Sequence, residues 1–195
     1  MKRLFDILVS ATALLLLLPL FLLLALAVAL SSPGGAFFRQ VRVGKGGKEF
    51  GLLKFRTMRP GSEAKGQITV GGRDPRITGI GHFLRHSKLD ELPQLLNVLL
   101  GDMSFVGPRP EVPRYVALYS EQQRKVLEVR PGITSLASIA YIQENELLGR
   151  SSDPERTYIE EVMPAKLALD LQYIAGEGGT DIGIILRTVL RLFRR

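Results

Sequence analysis

From Ile7 to Leu30 the chain runs through 24 consecutive uncharged residues, nearly all Leu, Ala, Val, Ile and Phe, broken only by Ser10, Thr12 and Pro19. The run is apolar on every face. As a straight helix it would measure about 36 Å at ~1.5 Å per residue, more than the ~30 Å hydrocarbon core of a bilayer requires. Ser31-Ser32-Pro33-Gly34-Gly35 then breaks the pattern, and the chain beyond this cluster alternates differently. Phe37 to Met58 reads as two β-rich runs joined by a Gly/Lys turn, a hairpin. Residues 59–79 are rich in Gly, Pro and charge and read as a loop. Helices are expected from Ser87 or Asp90 to Leu100, over Val112 to Val129, and after the Asp153-Pro154-Glu155 start signal.

At the far end, Asp181 to Arg195 places Ile182, Ile185, Leu186, Val189, Leu190 and Phe193 largely on one helical face, with Arg187, Arg191, Arg194 and Arg195 on or beside the other. Such a helix suits an anionic membrane surface, or packs on the core with a solvated basic edge. The elements predict an α+β protein, mainly helical, with one small β-hairpin. Residues 1–32 form the lipid-embedded part and 33–195 a separate surface domain.

The flanking charges decide how the apolar run meets the membrane. Lys2 and Arg3 precede it, and Arg39, Arg42, Lys45 and Lys48 come after it, so both flanks carry the charge expected on the cytoplasmic side. A simple span would have to export one flank. Pro19 lies near the middle, where its missing N–H and its ring kink a helix, which favours a re-entrant helix over a span. A cleaved signal peptide fits less well, because the run exceeds an ordinary signal core.

With 195 residues, 46% of them hydrophobic, the chain has enough material for a real core. The absence of cysteine excludes disulfides, thiolate metal sites and a cysteine nucleophile. Lys and Arg outnumber Asp and Glu by 26 to 19, and seven of those cations fall between Arg39 and Arg59. No zinc-finger spacing, RNP pattern or basic zipper accompanies them, so phosphate head groups and a phosphorylated substrate are expected rather than nucleic acid. Gly44 to Gly51 superficially resembles a phosphate loop. It lacks the Lys-Ser or Lys-Thr ending and a helix after it, and reads as the hairpin turn.

The densest chemistry lies in Ser87 to Pro110. Asp90 and Glu91 are adjacent and sit at an expected helix start, where an Asp cap and a first-turn Glu would be ordinary helix-starting devices. Their neighbours point elsewhere: Arg85 and Lys88 upstream, and Arg109 between Pro108 and Pro110 downstream. Cations hold a carboxylate ionised and also bind phosphate oxygens. An ionised Asp beside a phosphate serves as a magnesium ligand or as a nucleophile on phosphorus. His82 and His86 share an i, i+4 spacing but have no third ligand nearby and read as packing or surface residues, while Asp102 either joins the metal site or, as the better reading, caps a turn.

These residues, with KRLFDI (Lys2 to Ile7), KFRTM (Lys54 to Met58), the block from Asp74 to Pro110 and RPGIT (Arg130 to Thr134), give a sequence that resembles the monotopic phosphoglycosyl transferases. The resemblance implies a re-entrant membrane helix with both ends in the cytoplasm, and a catalytic domain on the cytoplasmic face of the bacterial inner membrane against anionic lipids. It also implies transfer of a sugar-1-phosphate from a UDP-sugar to undecaprenyl phosphate with Mg2+, and allows a homodimer. By the same resemblance Asp90 is the nucleophile, Asp90 and Glu91 hold magnesium, and Lys54, Arg56, Arg85 and Arg109 contact phosphates. Pro108 and Pro110 belong to the same binding set and aim Arg109. Two departures stand out. Leu18 occupies the position before Pro19 where relatives often carry Ser, and Ser135 to Gly149 differs from the segment relatives place after RPGIT, so sugar identity stays open. A non-catalytic membrane-anchored scaffold is the rival reading.

Overall fold

A computed structural model describes residues 1–62 and 74–193. Most of the loop expected over 59–79, together with the Phe193 side chain, Arg194 and Arg195, lies outside the described residues. The apolar run is two helices, α1 (Lys2–Leu16) and α2 (Leu18–Ser31), bent by 66°. The break falls at Leu17, just before Pro19 in the first turn of α2. There proline's missing N–H is harmless, whereas in the interior of a continuous helix its ring would clash with the preceding turn. No single helix among the described residues is long and apolar enough to cross a membrane; the bent pair passes that test only together.

The first turns of α1 are tied to the rest of the chain by polar contacts. Asp6 is 2% exposed and accepts from the Ser104 hydroxyl at 3.1 Å and the Phe105 N–H at 3.2 Å. Lys2 pairs with Asp181 at 2.8 Å and donates to the Val106 carbonyl, while Arg3 donates to the Leu99 carbonyl. On α2, Leu24 and Val28 are buried against Phe55 and Leu84, but Leu22, Leu23, Leu26 and Leu30 stand exposed. So much bare aliphatic surface on one helix needs a nonaqueous neighbour.

The hairpin pairs β1 (Phe37–Val43) with β2 (Glu49–Phe55), antiparallel, with Phe37 opposite Phe55 and Val43 opposite Glu49. Gly46 and Gly47, both at positive φ, close its turn, which confirms a hairpin connection rather than a phosphate loop. Behind it lie α3 (Gly79–His86), a single 3-10 turn (Leu89–Glu91) and α4 (Gln94–Leu100). Asn97 in α4 fastens the two layers: its side chain accepts from the Leu53 N–H and donates to the Gly51 carbonyl, both at 2.9 Å.

A second sheet, absent from the hydrophobic pattern, pairs β3 (Ser104–Val106) in parallel with β4 (Gly132–Thr134). Gly107 and Gly132 meet so closely there that a Cβ on Gly132 would lie 2.2 Å from the Gly107 nitrogen. The helix expected over Val112 to Val129 is instead α5 (Pro113–Val116), α6 (Glu121–Arg124) and a 3-10 turn. Ser120 starts the chain afresh with a capping box to Gln123.

After α7 (Leu136–Ala140) and α8 (Glu144–Gly149), Asp153 caps α9 (Pro154–Thr157) as expected, accepting from the Arg156 N–H at 3.0 Å. A wide π turn over Tyr158–Val162 leads into α10 (Met163–Ile174), whose first turn contains Pro164, a residue with no N–H for a regular bond. In the terminal helix α11 (Asp181–Phe193), Ile184 is fully buried and Thr188 bonds Thr134, while Ile182, Leu186, Val189 and Leu190 are exposed. One edge therefore packs and an apolar row remains bare. The main core gathers Val112, Tyr115, Val116, Tyr119, Leu148, Tyr158, Val162 and Leu167 beneath the site.

Candidate active site

A cleft of about 1360 Å³ opens between the hairpin, the α3–α4 turn, the Pro108–Pro110 strap and helices α7 and α8. Asp90 and Glu91 line it, with Lys54, Arg56, Arg85 and Arg109. Neither carboxylate starts a helix. Pro93 precedes α4 and the turn carrying the pair has no side-chain cap bond, so the helix-starting role expected for Asp90 and Glu91 is not the one the fold gives them. Lys88, at φ 59°, lies between the end of α3 at His86 and the 3-10 turn that carries the pair. A non-glycine residue held in the left-handed region marks backbone that its surroundings constrain.

The two acids have opposite electrostatics. Glu91 Oε1 takes Arg109 at 2.6 Å and Lys54 at 3.3 Å. Burial opposes its charge, yet Arg109 and then Lys54 outweigh that cost and hold its carboxyl well below the usual range. Glu91 in turn raises Arg109, while burial lowers Lys54 despite the neighbouring carboxylate. Asp90 is 6% exposed, and its Oδ1 is buried without a hydrogen-bond partner. Burial, then the Glu91 charge, push its carboxyl above the usual range against the pull of Lys54, Arg85 and Lys88. The expectation that cations hold the pair ionised therefore describes Glu91, and Asp90 is the poorly compensated member.

Of the other expected residues, Arg85 donates to the Thr57 hydroxyl at 2.8 Å and interacts electrostatically with Asp90. Arg56 faces the cleft but donates to the carbonyls of Gly35 and Phe37 and lies over the Phe38 ring. Pro108 and Pro110 stand behind the cleft wall, where their carbonyls accept from the Gly132 N–H and from Arg42. His82 and His86 line the cleft. Asp102 accepts from Asn97 at 3.3 Å, in keeping with a turn residue.

The sequence reading gave no role to Glu111, Tyr158 and Asp170, and counted Arg42 only as one charge of the basic stretch. Asp170 is 3% exposed, and its carboxyl is pushed up to about 6 by burial, against favourable bonding from the Ser135 hydroxyl and the backbone N–H groups of Arg109 and Ala137. The divergent segment supplies cleft lining through Ser138, Tyr141, Gln143, Glu144 and Asn145. That wall can contact whatever occupies the cleft, although its residues carry no motif.

Among the described residues no group of three His, Cys, Asp or Glu side chains is placed to hold a metal ion. A magnesium ion needs less. One or two carboxylates suffice when substrate phosphates and water complete its shell. The unpartnered Asp90 Oδ1, with Glu91 adjacent, fits that requirement.

Chains of known kind share the sequence throughout. A UDP-glucose:undecaprenyl-phosphate glucose-1-phosphate transferase of Escherichia coli is 39% identical over 201 residues, covering 99% of this chain and 40% of that protein. Another of Caulobacter vibrioides is 39% identical over 200 residues, covering 96% and 68%. A UDP-N-acetylgalactosamine-undecaprenyl-phosphate N-acetylgalactosaminephosphotransferase of Aeromonas hydrophila is 36% identical, covering 96% and 42%. The chain thus spans between two fifths and about two thirds of these relatives' length. The bacterial sugar transferase family matches residues 1–195, and the chain belongs to that family.

Proposed function

We propose that this chain transfers a sugar-1-phosphate from a UDP-sugar to undecaprenyl phosphate, releasing UMP, through a covalent sugar-phosphoryl aspartate. The observation that carries the reading is the buried Asp90 carboxylate, unpartnered at Oδ1, beside a Glu91 fixed by Arg109 and Lys54. An Asp90 oxygen attacks the sugar-bearing phosphorus; the new bond forms as the bond to the bridging oxygen breaks, and UMP leaves with that oxygen. An oxygen of undecaprenyl phosphate then attacks the same phosphorus, the acyl phosphate bond breaks, and Asp90 returns as a carboxylate.

Lys54, Arg56, Arg85 and Arg109 supply positive charge where the phosphates would lie. Magnesium, held by Asp90 and Glu91, would neutralise repulsion between the attacking carboxylate and the diphosphate. The donor names of the relatives include both glucose and N-acetylgalactosamine, so the sugar is not assigned.

The bent α1–α2 pair enters and leaves the bilayer on one face, the cytoplasmic face of the inner membrane, and residues 33–195 form the catalytic domain there. Exposed aliphatic side chains on α2 and α11 support this placement. A soluble donor and a lipid acceptor whose phosphate sits at the interface then meet in one cleft. The test is UMP release from a panel of UDP-sugars with magnesium and undecaprenyl phosphate, the wild type beside Asp90→Asn. Release by the wild type and loss in the variant is expected; equal release by both would remove Asp90 as nucleophile. No release by the intact wild type across the panel would favour the scaffold.

A further inference from the structure

The strap Pro108–Pro110 runs directly into a carboxylate that the chemistry above does not use, Glu111, which lines the cleft together with Arg42 and Tyr158. Glu111 accepts from three donors, one on β1, one in the π turn and one the backbone N–H of the next residue. Arg42, on β1, meets its Oε1 at 2.9 Å, the Val112 N–H donates to the same oxygen at 2.7 Å, and the Tyr158 hydroxyl donates to Oε2. Burial, then Glu111 itself, push the Tyr158 hydroxyl far up, so it remains a donor. Arg42 also donates to the Pro110 carbonyl at 3.1 Å, and the Val43 N–H donates to the Glu111 carbonyl at 2.9 Å. The Arg42–Glu111 pair is largely shielded, with side chains 16% and 15% exposed. A multiply bonded, desolvated carboxylate two residues from Arg109 restricts where that guanidinium can point.

We propose that Glu111, clamped by Arg42 and Tyr158, is a positioning residue that sets Arg109 against Glu91. The role rests on the transferase reading, but the clamp itself is a property of the fold. Arg109 reaches Glu91 from an extended strap between two prolines, so a small shift of the strap moves the guanidinium away from its partner. Displacements of about 1 Å at such distances cost on the order of a hundredfold in rate.

The test is a double-mutant cycle in the full chain. Glu111→Gln and Arg109→Lys are made singly and together, with initial rates of UMP release measured in detergent. Glu111→Gln is expected to lower kcat about tenfold to a hundredfold. If it acts through Arg109, it adds little once Arg109 is already Lys, whereas its effect multiplies with that of Arg56→Lys, whose partners are elsewhere. An unchanged rate in Glu111→Gln, or full multiplication with Arg109→Lys, overturns the proposal. Should Glu111→Gln fail to fold, Tyr158→Phe removes one donor and must show the same coupling to Arg109; an unchanged rate again overturns it. Hydrogen exchange separates this failure from failure of the transferase reading. If the wild type releases no UMP, the clamp is decided by the Val43 and Val112 amides: faster exchange in Tyr158→Phe supports it, and unchanged exchange refutes it.

Discussion

Glu91 and Arg109 lie 18 residues apart in sequence and meet at 2.6 Å, the guanidinium sharing a carboxylate oxygen with Lys54. Two cations on Glu91 leave Asp90, the adjacent residue, with a buried and unbonded oxygen. The asymmetry distinguishes two acids of nearly the same chemistry: one is held by cations, and the other keeps a buried oxygen without a hydrogen-bond partner.

Replacing Arg109 by Ala leaves Glu91 buried with its strongest partner removed. The loss is expected to cost about 3 kcal/mol of stability and to reduce UMP release at least a hundredfold. Arg109→Lys keeps the charge and should retain most of the stability. Thermal unfolding beside initial rates checks both; an Ala variant as stable as the wild type would show that the pair does not hold the site together.

Asp170, bonded to the backbone of Arg109, gives a pH signature in stability. Its folded pKa of about 6 lies above the ordinary value of 3.8, so the folded state binds the proton more tightly. Stability from this group is complete below about pH 4 and is lost as pH rises through 6. Asp170→Asn should therefore be more stable than the wild type at pH 8, by about 3 kcal/mol, and match it near pH 4. A variant less stable than the wild type at pH 8 would mean that the charge is better compensated than its burial indicates.

Topology is accessible because the chain has no cysteine. A cysteine appended before Met1 and one replacing the exposed Lys45 should both react with an impermeant maleimide in inverted inner-membrane vesicles and resist it in intact spheroplasts. Opposite-side labelling of the two flanks would turn the bent pair into a span.

Removal of divalent cations with EDTA is expected to abolish UMP release, and magnesium to restore it. Glu91→Gln should raise the magnesium concentration needed for half-maximal rate. Full activity in EDTA would assign the neutralisation of the diphosphate to Lys54, Arg56, Arg85 and Arg109 alone.

The parts legible in sequence were those with strong local signals. A run of aliphatic residues around Pro19, the glycines of the hairpin turn and the Asp153-Pro154 start each specify structure within a few residues. The parallel pair β3–β4 was not legible, because three-residue strands carry no period and Ser104 finds its partner only at Gly132, far along the chain. The helix expected over Val112 to Val129 failed at Ser120, whose capping box with Gln123 restarts the chain mid-pattern. At the site, charge crowding drew attention to Asp90, Glu91, Lys54 and Arg109, but only folding tells which acid the cations choose. Glu111, Arg42 and Tyr158 carry no motif; their meaning comes from meeting across the strap.

The most direct test of the account is to capture the covalent species. Wild-type protein is incubated with magnesium and the UDP-sugar that supports turnover, without undecaprenyl phosphate, then digested and mapped by mass spectrometry. A sugar-phosphate adduct on the peptide bearing Asp90, absent from Asp90→Asn and discharged by undecaprenyl phosphate, is the predicted result. An adduct on another residue, or wild-type turnover that proceeds with no adduct at Asp90 under any quench, would contradict it.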